Sequence, residues 1–203
     1  MRTITESFKI IIDKQKQLDY HMSQILRQPA SKLDIERAEN DLGLKFNNEL
    51  AELYLFADGI NIDYKTPLGL TGLIPIHNFL SLNDSIQHYK INIKFEDSFL
   101  NWDTDFKPNS KLFPILYDGA GNFFWVDLNI RTKNYSRIYW TNTYGENPDY
   151  LYDSLTIMFQ VISECYEKGI INVDSEGYLN SDYEKFGKIA LHYNPKIKYW
   201  KRY

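Results

Sequence analysis

The chain has 203 residues, with 27 acidic and 23 basic side chains and a formal net charge of −4. A chain of this length fits one domain with extensions and buries roughly 70% of its unfolded surface, so it needs no metal or disulfide staple. The acid excess argues against a general nucleic-acid binder, and the single cysteine, Cys165, excludes an intrachain disulfide and favours a reducing compartment.

Aromatic residues are abundant, with 16 Tyr, 12 Phe and 4 Trp, which predicts thick aromatic packing and a sticky surface. The opening MRTITESFKIII has neither a long apolar core nor a small-residue cleavage site, so no signal peptide is expected. No segment approaches the ~18 apolar residues of a membrane span. A soluble, cytoplasmic protein is the expectation.

In chain order, Thr3 with Glu6 forms a capping box that opens a helical pattern. Phe8, Ile11, Leu18, Met22 and Ile25 share a face, Gln15 interrupts it, and the pattern runs until Pro29. Fewer than four heptads favours packing on the protein's own core over a coiled-coil seam. Ser31 and Asp34 cap a second helix with the stripe Ile35, Ala38 and Leu42, and Gly43 stands where a helix C-terminus wants positive φ. Asn47 starts a third, with Leu50, Leu53, Tyr54 and Ala57 inward, and Asp58-Gly59 stops it.

GLTGLIPIHNFL, residues 69–80, predicts a strand entering a loop. Asn83 or Asp84 caps a loosely patterned helix through Ile86 and Tyr89 towards Phe99, and residues 101–111 are loop by composition. Phe113–Tyr117 and Phe123–Leu128 predict a β-hairpin with both faces largely covered, and Arg137–Thr141 a further strand. Asp153 and Ser154 cap a helix carrying Leu155, Met158, Phe159, Ile162 and Tyr166 on one face, ended by Gly169. A last helix runs from Ser181 to about Tyr193, and the basic stretch 196–203 reads as a solvated terminus. The order of elements predicts an α+β domain with a central, largely antiparallel or mixed sheet flanked by helices.

The glycine-rich break Asp118-Gly119-Ala120-Gly121-Asn122 leads into a strand, so no helix N-terminus is available to hold a phosphate. Its oxygens do not alternate as a calcium loop requires. A turn is expected, with glycine supplying positive φ. Asp103-x-Asp105 is followed by Lys107 where a cation ligand would stand, and His21, His77, His88 and His192 lack metal-ligand spacing. Cys165 borders an apolar helix face with no suggested base. No catalytic residue, cofactor or metal site is expected.

Two stretches combine acids with aromatics as a protein-binding surface does: KFEDSFLNWDTD (94–105) and YGENPDYLYD (144–153). Trp102, Asp103, Asp105, Tyr144, Asp149 and Tyr150 are the candidate partner-binding residues, set against the plainer reading of solvated loops.

SKLDIERAENDLGLKFNNELAELYLFADGI (31–60) resembles the opening helical hairpin of the SMI1/KNR4 family of the SUKH superfamily, at Ile35, Glu39, Leu42, Gly43, Phe46, Leu50, Asp58 and Gly59. FPILYDGAGNFFWVDL resembles the family's central hairpin, at Pro114, Asp118, Gly121, Asn122 and Asp127, and YDSLTIMFQVISECYEKG resembles its closing helix. Asn47 stands where the family carries proline, and Asn is itself a strong helix cap. The resemblance implies an N-terminal helical extension (1–30), a SUKH domain (31–170) and a C-terminal extension packed on it (171–203). It implies a non-enzymatic binding protein whose motif residues are structural, with Glu39 bonding local backbone and a partner meeting the variable loops. Bacterial members are largely immunity proteins that neutralise polymorphic toxins, often nucleases, in the cytoplasm. The alternative is an intracellular regulator or scaffold of the kind related to cell-wall synthesis. A cognate toxin domain is the implied partner, with no direct nucleic-acid or membrane contact, and monomer and weak dimer both remain open.

Overall fold

The computed structural model describes residues 1–62, 69–94, 111–142 and 149–203. Helices α1 (Ile4–Gln17), α2 (Lys32–Leu42) and α3 (Asn48–Phe56) come first, then strand β1 (Asn78–Phe79) and helix α4 (Leu82–Lys94). Strands β2 (Leu112–Tyr117), β3 (Phe123–Asp127), β4 (Ile138–Thr141) and β5 (Asp149–Tyr152) follow, then α5 (Leu155–Glu167). A small hairpin of β6 (Ile171–Val173) and β7 (Leu179–Ser181) precedes α6 (Tyr183–Tyr193) and a final 3-10 turn, Tyr199–Arg202. The main sheet has the order β1-β2-β3-β4-β5, and every described pairing is antiparallel. The fold is α+β.

Local sequence starts the helices. Thr3/Glu6 and Ser31/Asp34 form complete capping boxes on α1 and α2, and the Asn47 side chain accepts the Leu50 N–H at 2.8 Å. Ser154 caps α5, while Asp153 instead pairs with Arg137 at 2.9 Å. The cap of α4 is Ser81 rather than Asn83 or Asp84: its Oγ accepts the Asp84 N–H at 3.1 Å and donates to the Asp84 carboxylate at 2.6 Å. The projected extension of α4 towards Phe99 falls outside the described residues.

Alternation along β2, β3 and β4 gives the sheet two apolar faces. Phe113, Phe124, Val126 and Ile138 belong to the main core with the helices. There Phe8 of α1 meets Phe56, Phe79 and Phe159, with ring centroids 5.1, 5.7 and 5.2 Å away. The opposite face gathers Leu80, Leu112, Phe123, Trp125 and Tyr139, all buried, with Tyr117 and Tyr150 at its margin. The register shift at Pro114–Leu116 lies where proline has no N–H to donate to the ladder.

Five expectations are corrected. The first helix does not run to Pro29; it ends at Gln17, because Asp19 takes φ +54° and turns Tyr20 into the core. The Tyr20 hydroxyl there donates to Gly69 O and accepts the Gly72 N–H, both at 2.8 Å. Gln15, read as an interruption, is fully buried and donates to Tyr166 Oη at 2.8 Å, while Leu18 is exposed. Residues 69–80 supply only the two-residue β1, since a tight turn at Ile74–His77 breaks the extended run. The stretch 144–153 is not all loop: β5 begins at Asp149. The C-terminal stretch is not simply solvated. Ile197 and Trp200 are buried, Trp200 Nε1 donates to Leu151 O on the β5 edge, and Lys196, Lys198, Lys201 and Arg202 around them are exposed.

Candidate interaction surface

The described part of the acid-and-aromatic surface is the start of β5. Its register sets Tyr150 opposite Tyr139 and Asp149 opposite Trp140, so these two candidates lie on opposite faces of the strand. The Tyr150 ring stands edge-on to Tyr139 at 5.1 Å, and its hydroxyl donates to Asp127 Oδ2 at 2.7 Å. Burial raises the Tyr150 phenol above its ordinary range, and the Asp127 carboxylate raises it further. Asp149 is half-buried, and its Oδ1 accepts the N–H of Tyr150 at 2.7 Å. The structure therefore brings Asp149 and Tyr150 together along the chain but separates them across the sheet. Trp102, Asp103, Asp105 and Tyr144 lie outside the described residues.

The residues singled out in the sequence motifs form hydrogen bonds within the chain. Glu39 Oε1 accepts the Phe46 N–H at 2.8 Å, and Lys45 reaches Oε2 at 2.6 Å. Gly43 closes α2 with φ +61°. Gly59 follows Asp58, whose Oδ1 accepts the Leu82 N–H at 2.6 Å at the start of α4. A Cβ on Gly59 would lie 2.3 Å from Ser81 N, so only glycine fits this approach. In the hairpin turn, Asp118 Oδ1 accepts the N–H groups of Ala120 at 2.8 Å and Asn122 at 3.0 Å, and the Asn122 amide donates to Oδ2. Gly119 and Gly121 there take φ +84° and +103°. Asp127 is fully buried and accepts from Asn129 N–H as well as from Tyr150.

Other chemistry can be placed on this frame. Cys165 is buried, and burial pushes its thiol up to about 12, so the thiolate needed of a nucleophile is absent at neutral pH. Among the described residues no cluster of three or more His, Cys, Asp or Glu has the arrangement of a metal site, and no helix is long and apolar enough to cross a membrane. A groove of about 410 Å³ between α2 and α4 is bordered by Asp34, Asp41 and Asp58. Each acid faces a base: Arg37 at 3.8 Å, Lys90 at 2.6 Å and Arg27 at 3.6 Å. That matching leaves the groove little net charge.

Sequence reasoning missed two features. The Tyr150–Asp127 bond joins residues far apart in the chain, and neither residue alone signals it. The turn at 74–77 did carry a signal, a proline between two isoleucines in a stretch otherwise read as strand.

A family model described as SMI1 / KNR4 family (SUKH-1) matches residues 29–160, well over half of the chain. No curated protein matches the sequence.

Proposed function

The chain belongs to the SMI1/KNR4 family (SUKH-1), and from that premise we propose that it is a non-catalytic, cytoplasmic protein-binding domain that neutralises a cognate toxin domain. The observation that carries this reading is the orientation of the motif carboxylates. Glu39, Asp58, Asp118 and Asp127 all accept backbone N–H groups of their own chain. Carboxylates so engaged hold loops and helix ends in place; general acid or base work needs them turned towards a substrate. The protonated, buried Cys165 supports the same conclusion.

Asp149 and Tyr150 at the start of β5, with the sequence candidates Trp102, Asp103, Asp105 and Tyr144, suit a basic protein partner. Acidic side chains steer such a partner in, and aromatics hold it. The test is co-expression with the protein encoded by the neighbouring reading frame. Relief of that protein's toxicity together with a stoichiometric complex on size exclusion supports the immunity role. A complex with a non-toxic partner favours the scaffold role, and no complex refutes this partner.

A further inference from the structure

The turn Ile74–His77 carries a conflict between backbone and side chain. The His77 N–H donates to Ile74 O at 3.1 Å, and the Leu73 N–H to His77 O at 2.8 Å. Pro75 occupies the second position of the turn and Ile76 the third, where Ile76 takes φ +61°. This is the geometry of a type II turn, whose third position favours Gly or Asn because a Cβ crowds the backbone there. A β-branched residue is the least suited of all. Core burial does not offset the misfit, since Ile76 is 51% exposed.

The flanks of the turn impose the conformation. Leu73, Ile74 and His77 are buried, Leu73 O accepts the Tyr166 hydroxyl at 3.0 Å, and the His77 ring stands edge-on to Phe124 at 4.9 Å. Anchored on both sides, the turn displays an isoleucine outward in one backbone conformation. The backbone that carries this side chain has little freedom left to lose on binding, which lowers the cost of association.

Its setting points the same way. Asn78 pairs with Tyr117, so the 74–77 turn and the 118–122 turn lie at the same end of the sheet. The antiparallel order brings the start of β5, with Asp149, to that end as well, at the opposite edge of the sheet and about 19 Å across it, within the span of one protein interface. Gly119 and Ala120 of the neighbouring turn are exposed as well, and they offer only a methyl group.

We propose that Ile76 is the apolar anchor of an interaction surface at this end of the sheet, entering an apolar pocket on a protein partner whose basic rim faces Asp149. The proposal rests on the protein-binding reading above and gives its interface a location. Strained backbone that gives the fold no return in burial is retained where the displayed side chain has another use.

Stability and binding are read on one set of variants, with the protein encoded by the neighbouring reading frame as the probe. Ile76→Asn suits the left-handed backbone and raises the melting temperature by about 2–4 °C, while it speeds dissociation by about tenfold or more. Ile76→Leu, still apolar, keeps near wild-type affinity. An Ile76→Asn variant that melts no higher than wild type overturns the strain argument. One that melts higher yet binds as wild type overturns the anchor and leaves the binding function standing. A wild-type chain that fails to bind the probe refutes this partner and, with it, the anchor proposed against it.

Discussion

Tyr150 on β5 donates its hydroxyl proton to Oδ2 of Asp127 on β3, at 2.7 Å, reaching across the intervening strand β4. The carboxylate it meets is fully buried, and its other oxygen accepts the Asn129 N–H at 2.8 Å. Tyr150 is therefore a brace of the sheet as well as a candidate contact, and a simple truncation confounds the two.

Tyr150→Phe separates them. It keeps the ring against Tyr139 and removes one donor from a buried anion, which costs about 1.5–3 kcal/mol. Urea denaturation should show a lower midpoint with an unchanged slope. An unmoved midpoint would mean that the cross-strand bond contributes nothing. Tyr150→Ala should cost more, so it reports on binding only after its loss of stability is accounted for.

The Asp58-Gly59 pair and the hairpin turn predict a second set of losses. Gly59→Ala places a methyl group 2.3 Å from Ser81 N at φ +69°, so the start of α4 must move. Gly121→Val forces a β-branched residue to φ +103°. Each should destabilise by at least about 1–3 kcal/mol. A wild-type melting curve for either variant would contradict the corresponding geometry.

Gln15 and Tyr166 join α1, α5 and the 69–77 segment. Gln15 Nε2 donates to Tyr166 Oη at 2.8 Å, and that hydroxyl donates to Leu73 O at 3.0 Å. Tyr166→Phe strips both partners of a buried bond, at about 1–3 kcal/mol. The loss should be felt locally, as faster amide exchange across 69–77. Uniform exchange changes throughout the chain would instead point to global weakening.

The helices were legible because their signals are local: Thr3/Glu6, Ser31/Asp34, Asn47 and Ser154 each sit within three residues of the N–H they cap. The β2–β3 hairpin was legible through its glycines and the apolar runs on either side. Elements that depend on partners distant in the chain were not. The four residues of β5 include an acid, and they become a strand by pairing with β4, while β6 and β7 are three residues each. Helix α1 stops at Gln17 because Tyr20 finds the Gly69–Gly72 backbone, a contact that no spacing rule contains. The same limit hid the two-sided character of β5, which separates Asp149 from Tyr150.

Acidification should weaken the fold through two histidines. Burial lowers the pKa of His77, opposed by its Nδ1 contact with Pro75 O and by Asp118; burial also lowers His88, opposed by Asp84. A folded-state pKa below the unfolded value of about 6.5 means that the unfolded chain binds more protons below that pH. Stability is thus fully present above about pH 6.5 and declines as pH falls through the depressed values. Melting temperatures from pH 7.5 down to 5.0 should fall less steeply for His77→Phe with His88→Phe than for wild type. Equal slopes would show that the histidines are not the cause.

Charge at the start of β5 can be tested without disturbing the Tyr150 brace. Asp149 lies on the opposite face from Tyr150, and the charge of its half-buried carboxylate can act on an approaching partner. Asp149→Lys reverses that charge and removes the Asp149 Oδ1 contact with the Tyr150 N–H, while the Tyr150 hydroxyl, on the other face, keeps its bond to Asp127. With Asp103→Lys added, association with a basic partner should slow several-fold at low salt, because acidic groups steer diffusional encounter. The gap between wild type and variant should close as ionic strength rises and the Debye length shrinks. Dissociation should change little, since steering charges act on approach. Trp102→Ala should do the reverse, speeding dissociation with association nearly unchanged, as an aromatic hot spot does. Surface-based kinetics at two salt concentrations distinguish the outcomes. A tight complex whose two rates ignore all three substitutions places the interface away from both acidic stretches, and Ile76 then becomes the test of whether this end of the sheet takes part at all.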